Sequence, residues 1–152
     1  MKRDRQGKVE FIGGHIPEFL GYRAIDHGQT DRLLRHYLAG RLAGVRDRLA
    51  DFIAGLGEEG VRRVELAEAL RRLARQRERL LLDSEEKAAA PAVRLDEDEA
   101  LLDFDLNLLD KVAALDSALD NEGALDGHLL LQLLDEYEGL LEKRAAIFRQ
   151  AD

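Results

Sequence analysis

Few side chains in this sequence are typed and spaced for chemistry. Its hydroxyl nucleophiles are Thr30, Ser84 and Ser117, and there is no cysteine. An activated hydroxyl needs a base within hydrogen-bond reach and a group that orients the base. Ser117 sits in "ALDSALD" with no histidine nearby in sequence, and Ser84 falls in a linker. The four histidines are His15, His27, His36 and His128. No H-E-x-x-H or Glu-x-x-His pair occurs, the helical spacings that turn two metal ligands to one face. His27 and Asp31 are four apart and could share a face, which is too few ligands for a closed site.

Carboxylates are abundant, and their context is helical. "DFDLNLLDK", residues 103–111, opens like a calcium loop with Asp103, Asp105 and Asn107. It then puts Leu108 where a turning glycine is required and Ala114 where a bidentate glutamate is required. Phe104 and Leu108 belong to an apolar stripe, so the stretch reads as helix. "DEDE", residues 96–99, reads as a helix start, with Asp96 as N-cap and Glu99 three residues on. Gly13-Gly14 lacks the strand and the Lys-Ser/Thr pair of a phosphate loop. From these residues we expect no catalytic set, no resident metal and no cofactor.

The arginine run "RRLARQRER", residues 71–79, carries the polyanion reading. Arg71, Arg75 and Arg79 line one helical face, with Arg72 beside them. Against nucleic acid stand the net charge of −8, the lack of interleaved aromatics and Glu78 within the run. The charge is also divided. Residues 1–82 hold 17 Lys and Arg against 12 Asp and Glu, and residues 83–152 hold 6 against 19. A basic half that lies against its own acidic half needs no partner.

The elements that must position these groups are helices. The chain of 152 residues is 45% hydrophobic and 36% charged, rich in Leu, Ala, Arg and Glu. Four segments repeat apolar residues at steps of three and four. They predict helices at about 26–56, 58–82, 96–120 and 124–150. Leu34, Leu38, Leu42, Val45, Leu49, Phe52 and Leu56 mark the first, and Asp26 with Gln29 forms a candidate capping box. Val61, Leu66, Leu70, Leu73 and Leu80 mark the second. Leu101, Phe104, Leu108, Val112, Leu115 and Leu119 mark the third, and Leu130, Leu134, Tyr137, Leu141, Ala145 and Phe148 the fourth. Matched lengths and stripes predict an all-α fold, an antiparallel four-helix bundle spanning residues 23–152. Between the second and third helices, "DSEEKAAAPAVRL" (residues 83–95) is a linker broken by Pro91. Thirteen residues reach far enough for a simple reversal or for a crossover along the bundle.

"FIGGHIPEFLGY", residues 11–22, is unlike the rest. Its aromatics and aliphatics predict that residues 1–22 form a non-helical segment packed on the bundle, with Pro17 opening a short helical turn. Two roles stay open: a plug over one end of the bundle, or a docking motif for a partner. Phe11, Ile16, Phe19, Leu20 and Tyr22 are its candidate contact residues. The last helix adds Leu129 and Leu133 from "HLLLQLLDEY", a face wide enough to meet a second copy of the chain.

"GYRAIDHGQTDRLLRHYLAGRL" (21–42) and "LLDFDLNLLDKVAAL" (101–115) resemble segments of small uncharacterised bacterial helical proteins. There a Gly-Tyr-Arg entry leads into a long helix, and a later helix carries Leu-x-x-Phe-Asp-x-x-Leu-Leu. The likeness covers about a quarter of the chain. It implies an all-helical fold and brings no activity. His27 and Gly28 depart from the helix-friendly residues expected in the entry helix.

No run is long and apolar enough to span a membrane, and the basic N-terminus lacks the apolar core of a signal peptide. With no cysteine, the chain reads as cytoplasmic. The sequence therefore points to a non-enzymatic helical protein that acts through protein–protein contact, including as a homodimer. The competing reading is a metal-binding or enzymatic bundle whose histidines and carboxylates converge in the fold. The third is nucleic-acid or anionic-surface binding through Arg71–Arg79.

Overall fold

In the computed structural model, residues 4–22, 27–56, 60–87, 95–120 and 125–150 are described. They form five helices: α1 (Arg5–Gly13), α2 (His27–Ala54), α3 (Gly60–Lys87), α4 (Leu95–Ala118) and α5 (Gly127–Gln150). The all-α expectation holds, with one helix more than the four anticipated. α1 lies in the segment expected to be non-helical. Asp4 makes it possible, because its carboxylate accepts from the Gly7 N–H at 2.7 Å and caps the first turn.

The long helices exist because each has an apolar stripe to hide. Leu34, Leu38, Leu42, Val45 and Leu49 of α2 are buried, as are Leu66, Ala69, Leu73 and Leu80 of α3. Leu101, Leu108, Val112 and Leu115 of α4 meet Leu130, Leu134, Tyr137 and Phe148 of α5 in the same core. α5 starts where Asp126 accepts from the His128 N–H at 2.9 Å.

Ion pairs fix the helix directions. Arg41 and Arg48 of α2 reach Asp116 and Asp120 of α4, while Asp31 and Asp105 meet a shared partner lower down. α2 and α4 therefore run parallel. Arg72 and Arg79 of α3 reach Asp135 and Glu142 of α5, so those two are parallel as well. α4 and α5 are antiparallel, because Lys111 pairs with Glu136 while Asp105 pairs with Arg144. Around the bundle the order is α2, α3, α5, α4. This corrects a purely antiparallel picture: two of the four neighbouring pairs are parallel. It also answers the linker question. α3 ends and α4 begins at the same end of the bundle, in diagonal positions, an arrangement that calls for a reversal and not for a crossover along the bundle. The first five linker residues, 83–87, belong to α3, and residues 88–94, with Pro91, lie outside the described set. α4 begins at Leu95, one residue ahead of the Asp96 cap.

Residues 4–22 fold as a strap. α1 climbs along α4, with Arg5 on Asp98 and Lys8 on Asp103. The Phe19 N–H then donates to the Ile16 carbonyl at 3.2 Å, closing a turn over Pro17 and Glu18. Glu18 has φ 71°, the third-position geometry of a type II turn after proline. So Pro17 opens a β-turn here and not the helical turn expected. The chain descends to Gly21, whose φ of +90° suits only glycine. A Cβ there would lie 2.6 Å from Arg5 Nη2.

Gly127 and Gly44 make a testable contrast. A Cβ at Gly127 would meet Glu65 Cβ at 2.8 Å, whereas one at Gly44 meets nothing within 4 Å. Gly127→Ala is expected to lower stability by about 1–3 kcal/mol through α3–α5 overpacking. Gly44→Ala should raise it by about 0.5–1 kcal/mol. Chemical denaturation of both variants checks the signs.

Candidate functional site

The one concentration of buried ionisable groups among the described residues lies at the end of the bundle where α2 and α4 begin and α5 ends. Three helices supply it because three polar residues stand in phase with apolar stripes. Asp31 is three residues before Leu34, Asp105 three before Leu108, and Arg144 lies between Leu141 and Phe148. Each must point into the core. Arg144 Nη1 lies 2.7 Å from Asp31 Oδ1, and Arg144 Nε donates to Asp105 Oδ1 at 2.7 Å. Arg35 Nε donates to Asp31 Oδ2 at 3.0 Å, one turn along α2.

The strap closes this cluster. Arg144 Nη2 donates to the Tyr22 hydroxyl at 2.7 Å, and that hydroxyl donates to Asp105 Oδ2. The Tyr22 N–H donates to Asp98 Oδ1 at 2.9 Å, and the other Asp98 oxygen takes Arg5. The Arg144 guanidinium also stands over the Tyr22 and Phe148 rings, 5.6 and 5.1 Å from their centroids. Two guanidiniums thus face two carboxylates, and the core cluster is neutral.

Burial and charge contend at every member. Desolvation opposes ionisation of Asp31, but Arg144 and Arg35 outweigh it and hold its pKa below the usual carboxylate value. Desolvation wins at Asp105 and pushes its pKa up, against the pull of Arg144. Desolvation disfavours charge on Arg144 too, yet Tyr22, Asp105 and Asp31 raise its pKa well above the ordinary value. Burial likewise raises Tyr22, so the phenol keeps its proton as a donor. Tyr137 is also raised by burial, and its hydroxyl has no hydrogen-bond partner among the described residues.

This arrangement can lock the strap to the bundle. It offers no nucleophile and no open face: Tyr22, Asp31, Asp105 and Arg144 are all buried. The surface cavities lie elsewhere. One sits at Arg48, Asp51, Phe52 and Leu56. A small one of about 110 Å³ lies under the strap, between Phe11, His15, Tyr37 and Leu109. Another lies between α4 and α5, beside Lys111 and Lys143.

The residues predicted from sequence divide in two. Ile16, Phe19 and Tyr22 are buried in this chain, which removes them from a free docking surface as the strap now lies. Phe11, Leu20 and Leu129 are exposed, and Leu133 is half-buried against the core. Of the arginines, Arg72 forks onto Glu138 and reaches Asp135, with Nη2 2.8 and 2.5 Å from them. Arg79 donates to Glu142 at 2.9 Å, Arg71 pairs with Glu68, and Arg75 lies 3.8 Å from Glu138. Each already faces a carboxylate, and through Arg72, Arg75 and Arg79 the basic half of the chain lies on its acidic half. His15 and His36 do not join a cluster, and the His27 side chain and the Asp26 cap lie outside the described residues. Among the described residues no three of His, Asp and Glu converge to hold a metal. Asp31, Arg35, Asp98 and Arg144 carry no reactive spacing that marks them as a set, and only their helical phase among the apolar residues signals burial. Comparison with protein-family models, with curated proteins and with solved structures gives no match.

Arg144→Met is expected to cost about 3–5 kcal/mol, because it leaves buried Asp105 without a cation and buried Asp31 with Arg35 alone. Tyr22→Phe should cost about 1–3 kcal/mol by leaving Asp105 and Arg144 each one bond short. For pH, a lowered folded pKa at Asp31 supplies stability above the ordinary carboxylate value and loses it as pH falls through the folded value. The gap between wild type and Asp31→Asn therefore closes below about pH 4. Asp105 carries the opposite sign: its raised pKa removes stability as pH rises through it, so the Asp105→Asn deficit is largest in acid. Denaturation curves across pH test both slopes.

Proposed function

We propose that this chain is a non-enzymatic helical module that acts by contact with other proteins, self-association included. The observation that supports this most is how its side chains are divided. The buried ionisable groups Asp31, Arg35, Asp105 and Arg144 are paired with one another inside the fold, while several large apolar side chains stand in water. Leu20 is 57% exposed, Leu129 42% and Phe11 36%. Single exposed apolar residues are ordinary. Here, however, Phe11 and Leu20 lie on a strap that buries Ile12, Ile16, Phe19 and Tyr22, and Leu129 is one turn from Leu133 on α5. No helix among the described residues is long and apolar enough to cross a membrane. The cysteine-free composition favours a reducing compartment, which makes the cytoplasm our proposed location.

Site-specific photo-crosslinking in cells tests this. A photoreactive residue at Leu20, Phe11 or Leu129 is expected to give discrete protein adducts, and one at exposed Ala74 none. The same smear or silence at all four positions would count against the proposal.

A further inference from the structure

Gly139 sits in mid-α5 without a reason inside its own chain. A Cβ there would meet nothing within 4 Å. A mid-helix glycine weakens a helix relative to alanine, so close approach from outside is the physical use left for it. α2 carries two more such glycines, Gly40 and Gly44. Of their flanks, Tyr37 is half-buried beside His15 of the strap, and His36, Ala43 and Asp47 supply no large apolar side chain to set a register.

The surroundings of Gly139 do set one. A cavity of about 420 Å³ runs between α4 and α5, lined by Asn107, Lys111, Glu136, Gly139, Leu140 and Lys143. Among the described side chains, Lys111 and Lys143 are the cations that the acidic helices α4 and α5 turn outward, and both line this one groove. Lys111 pairs with Glu136. Lys143 is exposed with no carboxylate partner among the described residues. Glu136, Leu140 and Lys143 are spaced four and three apart, which places them on one stripe of α5. Leu133 continues that stripe towards Leu129.

The geometry points to a second copy of this chain as the occupant, docked through α5 about a two-fold axis. We place the axis between Gly139 and Leu140, with the two α5 helices antiparallel. Glu136 then faces Lys143 of the second copy, and Lys143 faces its Glu136. Leu140 covers Gly139, and Leu133 covers the small Ala146. Every contact occurs twice, as a two-fold interface requires. The charges decide against a parallel arrangement, which brings Glu136 onto Glu136 and Lys143 onto Lys143. The patch from Leu133 to Ala146 is about 20 Å long. That is a small interface, so the dimer is concentration-dependent. The inference rests on the protein-contact reading above and names one partner for it.

Analytical ultracentrifugation of the full chain provides the test. Mass is expected to rise from the 17.1 kDa monomer towards twice that over micromolar concentrations. Gly139→Leu, whose side chain points into open space in the monomer, should weaken the dimer at least tenfold while the thermal melt shows an intact fold. Glu136→Lys and Lys143→Glu should each do the same alone. An equimolar mixture of those two variants should dimerise again, because each copy then meets its opposite charge. A chain that stays monomeric throughout, a dimer indifferent to Gly139→Leu, or a mixture that fails to recover would overturn the proposal. None of these would touch adducts formed at Leu20, which test the broader reading separately.

Discussion

The fold turns on one buried guanidinium. Arg144 bonds to α4, lies against α2 and holds the strap, while being carried by α5 itself. A desolvated cation is tolerable only with its counter-charges in place. Sliding α4 by one turn along α5 would carry Asp105 about 5 Å away and leave both groups unmatched. Leucine stripes alone tolerate such slips far better, because one methyl group serves nearly as well as the next. The cluster therefore specifies which turn of α2, α4 and α5 share a level. Tyr22 then carries that specification to the N-terminal strap.

The rest of the charge pattern follows from the helix directions. α2 beside α4 and α3 beside α5 are parallel neighbours, which bring like ends of their backbone dipoles together. Cross-pairs offset this. Arg48 reaches Asp116 and Asp120, and Arg72 forks onto Glu138. The basic first half and acidic second half are thus two sides of one seam. Most of these pairs are at least partly solvated and individually worth little. Their sum still opposes swapping α3 for α2 beside α5. It also sets Arg72, Arg75 and Arg79 of the arginine run opposite carboxylates of α5.

The long helices were legible from periodicity, because a stripe at steps of three and four has few other uses. Their ends were legible to within a few residues, except where α3 runs on through 83–87. What the apolar pattern could not show was α1, whose nine residues include two glycines and carry no stripe. Nor could it show that neighbours are parallel, since stripes do not encode direction. The buried cluster was half-visible. Asp31, Asp105 and Arg144 each keep the phase of the leucines around them, and a charged residue in that phase must find a partner inside. Which partners meet depended on the diagonal connection, and no local pattern carries that.

Lys143 and Arg144 show how finely phase assigns these roles. They are adjacent cations on one helix, roughly 100° apart around its axis. That rotation sends Arg144 into the core, where a planar guanidinium can bridge Asp31, Asp105 and Tyr22 at once. It sends Lys143 into water, onto the stripe with Glu136 and Leu140. Arginine suits the interior, because five donors in a fixed fork can satisfy three acceptors without deprotonation. Lysine suits the surface, where a single mobile charge can meet a carboxylate across a gap. α5 thus presents one face that closes the molecule on itself and another that carries Glu136 and Lys143 at the surface. Gly139 lies on the second face, where a Cβ would meet nothing within 4 Å, so the helix is weakened there for no gain in its own packing.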